Sequence, residues 1–572
     1  MESRVWHKHW PKGMPTSIDY PEIPVGAVIK GSAERFGEKV ALYYHDQPFT
    51  YRQLYEGALR FARVLRSKGL GKGDVVAIHM FNNPQYAMAY YGILLSGATF
   101  SPVNPLLPPH DLIYQLNDCG AKAVVTHEMV ARSIREVEGQ TGLRHVFLTG
   151  ESELSSPPQV VDVSGYGQHW YSFAQLLAAE PPEPVGVEIS PREQLAHIAY
   201  TGGTTGRSKG VMLTHYNVVV NILQSACWGT GCLPVVKDGG LCLEPADPSL
   251  VGEDKEYSPV GENVGINLTP WFHAMGIIGS LNVAFLCGGT TILHLRFDPG
   301  KYLEDAERYR VTGMGGAPPI YVGLIRHPDF WKRDLSSVRR ITSGAAPLAK
   351  ELFELLKKRF PDAVISEGYG MTEMTMVGIS NPGGRSSLRK LGSVGIPIFD
   401  TDCKIVPLEG GEDPLPPGSV GEICIRGPQV MLGYYNKPEE TAVTLKDGWL
   451  HTGDIGMMDD DGYVYIVDRK KDMLLYKGYN VYPRELEEIL FRHPAVANAA
   501  VIGKPDLEAG EIPKAYVVLK QGHTATAEEL MAFVNEQVVP YKRLREVAFI
   551  DEIPVSAAGK VLKRVLREME TR

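Results

Sequence analysis

Residues 200–210 bring together four glycines, three threonines and one lysine. Gly202, Gly203 and Gly206 free the backbone to turn its N–H groups toward an anion, and Thr201, Thr204 and Thr205 add hydroxyl donors. Lys209 supplies a compact positive charge. That inventory suits a polyphosphate. The spacing is not G-x-x-x-x-G-K-[ST], because Arg207 stands five residues after Gly202 and Gly210 follows Lys209. A Gly/Thr linker shares this composition, so the loop alone decides nothing.

A second group spans residues 368–373. Gly368 and Gly370 let the backbone pass close to a flat ring, and Tyr369 offers a stacking face. Beyond Met371, Thr372 offers a hydroxyl, and Glu373 is a hard oxygen ligand suited to Mg²⁺ beside phosphates. The alternative is a glycine-flanked turn with a solvated glutamate. His273 follows Pro270, Trp271 and Phe272 and precedes Ala274, Gly276 and Gly279; beside an apolar run a histidine is more often a satisfied core residue. Asp454, after Thr452 and Gly453, is by itself a turn former. Lys560, after Gly559 near the chain end, is by itself solvated surface.

The elements that must position these residues alternate in pattern. Thr50 and Gln53 form a capping box, after which Leu54, Ala58, Phe61 and Leu65 share one helical face. A strand is expected over 74–80, a helix from Asn83 and Pro84, and a strand over 121–126. The uncharged run 276–293 contains Ser280, Asn282, two adjacent glycines and two threonines, so a buried helix followed by a strand fits better than a membrane span. Residues 228–267 are rich in Gly, Pro and acids and read as a surface insertion, with no zinc partners for Cys232 and Cys242. Beyond Gly462 come a strand, the charged run 468–472 and a compact αβ pattern. That pattern has a helix marked by Leu486, Ile489 and Leu490, a strand over 514–519, and a helix capped by Thr526 and Glu529 that carries Leu530, Phe533 and Val534. The fold class expected is α/β: a large N-terminal domain (1–470) with layered, largely parallel sheets, and a small α+β C-terminal domain (471–572).

A chain of 572 residues exceeds what one core supports. Its net charge of −9 argues against a general nucleic-acid binder. Seven dispersed cysteines without a CxxC pair read as reduced thiols of the cytoplasm. The N-terminus lacks the apolar core of a signal peptide. Trp6 and Trp10 are expected as surface decoration, with peripheral membrane contact left open.

In their order along the chain, these segments resemble the AMP-forming acyl-CoA synthetases of the adenylate-forming superfamily, which also holds beetle luciferases and peptide-synthetase adenylation domains. The segments are 200–210, 270–273, 343–347, 368–373, 421–422 through 433–435, 449–454, 468–469 through 477–480, and 554–560. The likeness runs from about Tyr51 to Lys563, and the N-terminal Trp6 to Pro11 segment looks like bacterial medium- and long-chain fatty acid–CoA ligases. It implies a carboxylic acid, ATP, Mg²⁺ and coenzyme A as ligands, and a monomer or homodimer. Contacts to ATP and AMP would come from residues 201–206, Lys209, Gly344, Ala345, Ala346, Glu367 and residues 368–372. Tyr369 would stack on adenine, Asp454 and Arg469 would bind the ribose, and Glu373 would hold the metal. His273, Gly276, Gly316 and Ala317 would line the acyl pocket. Lys560, with His273 and Thr372, would serve catalysis.

The implied reaction has two halves: attack of the carboxylate at the α-phosphorus, releasing pyrophosphate, then attack of a thiol on the acyl-adenylate, releasing AMP. Lys471 would be a hinge, about which Lys560 leaves and Lys477, Gly478 and Tyr479 arrive, Gly478 leaving room for the thiol. Two departures from the pattern are Gly202, where serine or threonine is common, and Ser208, where proline is usual. A medium- or long-chain fatty acid is the expected substrate, an aryl or alicyclic acid the alternative. Rival readings are an adenylation enzyme loading a carrier protein, a luciferase-like oxidase and a non-catalytic nucleotide sensor.

Overall fold

A computed structural model describes residues 4–155, 159–201, 207–252, 254–344, 348–555 and 561–570. The chain gathers into two compact units, the first from Met1–Thr201, Ser208–Asp402 and Arg426–Leu450, the second chiefly from Cys403–Ile425 and His451–Arg572.

Two large sheets build the first unit. In one, eight strands run in the order Gly433–Tyr434, Gly210–Thr214, Leu195–Tyr200, Thr99–Val103, Val75–His79, Ala121–His127, His145–Thr149, Trp170–Ser172. From Leu195–Tyr200 onward neighbours are parallel, while the first two pairs are antiparallel. In the other, nine strands run Ile396–Pro397, Ile379–Ser380, Val364–Tyr369, Arg340–Ser343, Gly313–Gly316, Val264–Asn267, Thr290–Leu293, Val40–Tyr44, Gln47–Thr50, parallel in the middle and antiparallel at both ends. Buried parallel strands need helices to cover them. The helix Tyr51–Ser67 starts at the expected box: Gln53 N–H donates to Thr50 Oγ1 (3.2 Å) and Thr50 N–H to Gln53 Oε1 (2.9 Å). Its Leu54, Ala58, Phe61 and Leu65 are fully buried. Asn83 caps Pro84–Leu95 by accepting from Tyr86 N–H at 2.7 Å.

Residues 228–267 are not a surface insertion. After the helix His215–Thr230 ends at Gly231, Cys232–Lys237 and Gly240–Pro245 form an antiparallel hairpin, and Val264–Asn267 is an interior strand of the nine-stranded sheet. Four residues flanked by parallel partners carry no alternation for a sequence reading to detect. The hairpin presses its backbone on the helix Gly26–Phe36: a Cβ on Gly31 would lie 2.1 Å from the Leu241 carbonyl oxygen. Trp6 and Trp10 are not decoration either. Trp6 is buried, and Trp10 meets Trp228 and Phe399 with ring centroids 4.9 and 5.4 Å away. Edge-to-face ring contacts of this kind favour holding the N-terminal segment against the first unit.

The expected helix-then-strand over 276–293 is present as the π-helix Met275–Val283, a last turn Ala284–Leu286 and the strand Thr290–Leu293. Among the described residues no helix is long and apolar enough to cross a membrane. All seven cysteines are buried and none forms a disulfide, and among the described residues no cluster of three or more His, Cys, Asp or Glu could hold a metal ion.

In the second unit, Gly510–Leu519 pairs antiparallel with Val496–Asp506 and parallel with Glu546–Phe549, and Leu474–Tyr476 and Tyr479–Val481 extend the sheet. The helices Pro483–Phe491 and Ala527–Asn535 bury Leu486, Leu490, Leu530 and Val534 against it, the latter helix starting at the Thr526–Glu529 box.

Gly31→Ala should lower stability by about 1–3 kcal/mol through overpacking against Leu241. Chemical denaturation checks this, and an unchanged midpoint would show that the hairpin is not packed on that helix.

Candidate functional site

Three adjacent parallel strands, Gly313–Gly316, Arg340–Ser343 and Val364–Tyr369, run in register, with Gly316 opposite Ser343 and Ser343 opposite Glu367. Their carboxyl ends therefore leave the sheet on one side, where open α/β sheets bind ligands. The residues that follow are Ala317, Gly344 and Gly370, with Gly344 N–H donating to Gly316 O at 3.3 Å. Ser343 Oγ is buried there with no hydrogen-bond partner among the described residues. Ala345 and Ala346 lie outside the described residues. Glu367 Oε1 accepts from Leu348 N–H at 2.8 Å.

Tyr369 ends its strand, and the two glycines around it answer to different constraints. A Cβ on Gly370 would lie 1.7 Å from Met376 O, whereas one on Gly368 would make ordinary contact, 3.4 Å from Ile379 O. Met371 leads into the tight turn Thr372–Met374. The next residue, Thr375, sits at φ +67°, ψ −58°, with Met376 N–H donating to Met374 O at 2.7 Å. This is a γ-turn on a β-branched residue, a conformation costing about 1–3 kcal/mol. A buried polar chain holds it. Thr375 Oγ1 donates to Gln429 O (2.7 Å), Gln429 Nε2 to Thr401 Oγ1 (2.9 Å), and Gln224 Nε2 to Gln429 Oε1 (3.2 Å). Asn221 Nδ2 donates to Gln224 Oε1 (2.9 Å) and Val377 O (2.7 Å).

Glu373 is fixed by Met431 N–H on its carbonyl (2.9 Å) and by the Tyr434 hydroxyl on its Oε1 (2.8 Å). Burial, and then the Glu373 charge, push the Tyr434 phenol far above its ordinary range, so it stays a donor. Lys209 Nζ lies 4.4 Å from the centroid of the same ring. Tyr434 is the residue that sequence reasoning passed over. It stood in the quoted Gly433–Tyr435 segment, but its partners are remote in the chain, Glu373 by 61 residues.

The loop around Lys209 is the turn of an antiparallel hairpin with Tyr200 opposite Gly210. Its base is tied by Thr201 N–H to Lys209 O (3.0 Å) and by Ser208 Oγ–H to Thr201 O (2.5 Å), while the Tyr114 hydroxyl donates to Ser208 O (3.0 Å). Ser208, standing where proline was expected, thus contributes a side-chain clasp that proline lacks. Gly202, Gly203, Thr204, Thr205 and Gly206 lie outside the described residues.

His273 begins the turn into the π-helix. Its Nδ1 accepts from Met275 N–H at 3.3 Å. A Cβ on Gly276 would lie 1.9 Å from Pro270 O, so only glycine fits. The π-helix carries Met275 to Gly344, with Sδ 3.4 Å from where a Cβ would be, and Gly279 to Met376, whose Sδ would be 3.1 Å from a Cβ. A Cβ on Gly316 would meet Ile320 Cδ1 at 2.7 Å, the movable end of a side chain.

In the second unit, antiparallel pairing sets Asp454 opposite Arg469, with Nε 3.5 Å from Oδ1. Glu422 steadies both sides, accepting from Gly453 N–H (3.1 Å) and pairing with Lys470 (2.9 Å). Lys477 (φ +51°) and Gly478 (φ +82°) are the two turn residues of the hairpin joining Leu474–Tyr476 to Tyr479–Val481. Positive φ at both positions is what a tight hairpin requires. A Cβ on Gly478 would meet nothing within 4 Å, so its conformation accounts for the glycine within this unit. Tyr479 is exposed and stacks on Tyr541 at 4.8 Å. Lys471 follows Lys470 in the turn after that strand. Lys560 lies outside the described residues; the flanking chain is closed by a Val555–Val561 bridge and by Leu562 N–H on Pro554 O (2.8 Å). The following helix, Lys563–Met569, is tied down by Lys563–Glu487 (2.8 Å) and Arg567–Asp472 (3.0 Å). Burial works against the Lys563 charge, but Glu487, Asp468 and Asp472 outweigh it and raise its pKa.

The model of the AMP-binding enzyme family matches residues 29–435, and that of the AMP-binding enzyme C-terminal domain matches residues 485–560. The chain is 36% identical to the long-chain-fatty-acid–CoA ligase of Bacillus subtilis (strain 168), covering 99% of this chain and 98% of that protein. It is also 36% identical to 4-coumarate–CoA ligase 1 of Petroselinum crispum, over 91% of this chain and 89% of the other. Among solved structures, ATP-bound MatB from Rhodopseudomonas palustris superposes with a TM-score of 0.81 at 28% identity, covering 96% of this chain and 99% of that one.

Gly370→Ala should cost about 1–3 kcal/mol by driving a methyl into Met376 O, while Gly368→Ala should be close to neutral. Denaturation midpoints of the two variants check the contrast, and equal losses would contradict the packing described.

Proposed function

The chain belongs to the AMP-binding enzyme family as an ATP-dependent carboxylic acid–CoA ligase, and we propose that its acid is a medium- or long-chain fatty acid, activated as an acyl-adenylate and passed to coenzyme A. The observation that carries the site assignment is the shared edge of Gly313–Gly316, Arg340–Ser343 and Val364–Tyr369, after which Ala317, Gly344 and Gly370 all follow. Small residues there let backbone groups reach a nucleotide, and Tyr369 offers its ring to adenine.

The residues present fit a magnesium ion. Glu373 presents a carboxylate with one oxygen held by Tyr434 and no cationic partner among the described residues, beside the Thr372 hydroxyl. Bound there with ATP, the ion supplies neutralisation of phosphate charge. Lys209 faces the same anion, and Asp454 and Arg469 take the ribose hydroxyls, one accepting and the other donating. His273 lies next to the carboxylate of the acid. Gly276, Gly316 and Ala317 are assigned to the wall of the acyl site, although the room a side chain would need at Gly276 and Gly316 is taken by Pro270 and Ile320.

Lys560 is assigned the transition state of adenylation, where the acid carboxylate and the α-phosphate repel. One charge pair at about 4 Å and an effective dielectric of about 20 contributes roughly 4 kcal/mol, on the order of a thousandfold in rate. We divide the chain functionally at Lys471, which lets the C-terminal part serve the two half-reactions in two orientations. The cytoplasm is the compartment we assign, on the strength of seven cysteines of which none forms a disulfide.

The fatty-acid reading draws support from the Bacillus relative, whose match covers 99% of this chain. The coumarate ligase, equally identical over a shorter span, favours an aryl acid as the second reading.

With ATP, Mg²⁺, CoA and a panel of acids, AMP release should rise most for acyl chains and only when CoA is present. Preference for a coumarate-like acid would select the second reading, and indifference to CoA would exclude a ligase. Lys560→Ala should depress pyrophosphate exchange by about a thousandfold while sparing thioester formation from supplied acyl-AMP; parallel loss of both would refute the two-orientation scheme.

A further inference from the structure

We propose that Tyr434 is a positioning residue for the metal–nucleotide complex, its hydroxyl aiming the Glu373 carboxylate and its ring face seating the Lys209 ammonium. This deepens the reading above and rests on it. A carboxylate with both oxygens unconstrained rotates among several orientations, and a ligand that turns away from its ion wastes affinity. The 2.8 Å hydrogen bond to Oε1 removes that freedom and leaves the second oxygen for the ion. Lys209, 4.4 Å from the ring centroid, rests on the π face before the anion arrives, so its long side chain is already ordered.

A purely structural role accounts poorly for this side chain. The Tyr434 backbone is already secured: Gly433 and Tyr434 pair with Met212 and Val211, Tyr435 N–H donates to Gly210 O (2.7 Å), Leu432 N–H to Met212 O (3.0 Å), and Tyr434 N–H to Thr441 Oγ1 (2.9 Å). The strand that carries Tyr434 is therefore bonded directly to the strand that follows Lys209. Any displacement of the loop base is felt by the ring, and through its hydroxyl by Glu373. One side chain thus links the cation on one sheet with the anion after a strand of the other.

The test is calorimetric binding of ATP to the full chain, once with saturating Mg²⁺ and once in EDTA, which reads the metal's contribution without turnover. Tyr434→Phe should reduce the ratio of the two affinities by about tenfold, with the EDTA affinity and the melting temperature nearly unchanged. Tyr434→Leu should in addition weaken binding in EDTA, since Lys209 loses its seat. In the Glu373→Gln background, Tyr434→Phe should add nothing, because both changes break one link. If Glu373→Gln lowers the ratio but Tyr434→Phe does not, or if the two losses multiply, the positioning role is wrong while the magnesium assignment stands. An unchanged ratio in Glu373→Gln overturns the magnesium assignment itself.

Discussion

Parallel hydrogen bonding between Gly313–Gly316, Arg340–Ser343 and Val364–Tyr369 is the constraint on which the first unit depends. Parallel strands all finish at the same edge, so whatever follows each of them is delivered to one place without further instruction. The cost is that both faces must be covered and every crossover must travel the length of the sheet. Helices capped at Thr50 and Asn83, and the hairpin seated on Gly31, belong to that scaffold of covered sheets, which extends well beyond the reacting groups.

At the edge itself, rigidity comes from polar groups rather than apolar packing. The γ-turn at Thr375 is unfavourable for a β-branched residue and persists because Gln429, Gln224, Asn221 and Thr401 satisfy one another around it. An apolar core could fill the same volume, but it could not dictate the direction in which Thr372 and Glu373 leave the turn. Fully paired buried amides do so, because any other arrangement strands a donor or acceptor away from water. The π-helix after His273 follows a related logic: its wide turns bring Met275 and Gly279 against the two loops that leave the sheet, and the glycine at 276 permits the close approach to Pro270.

The second unit organises its groups differently. Asp454 and Arg469 meet because antiparallel register sets them opposite each other, and Lys477 and Gly478 stand out from the sheet because both adopt positive φ. Ion pairs from Lys563 and Arg567 to Glu487 and Asp472 bind the last helix to the helix Pro483–Phe491 and to the segment that includes Lys471.

Whatever is encoded within a few residues was legible in the chain: the capping boxes at Thr50 and Thr526, the buried faces of their helices, and the residue types offered by the phosphate loop and by Tyr369–Glu373. These depend on helical period and local hydrogen bonds, which a linear pattern displays. A reading of that pattern alone misjudged Val264–Asn267 and Trp10, since a short interior strand and a ring that packs on distant partners leave no local trace. Folding in three dimensions was needed to reveal that Ser208 clasps the loop base, that Gly370 but not Gly368 is sterically required, and that Tyr434 stands between Lys209 and Glu373. Each of those outcomes depends on the register between strands far apart in the chain, and register is set by the collective packing of whole sheets rather than by the residues that finally touch.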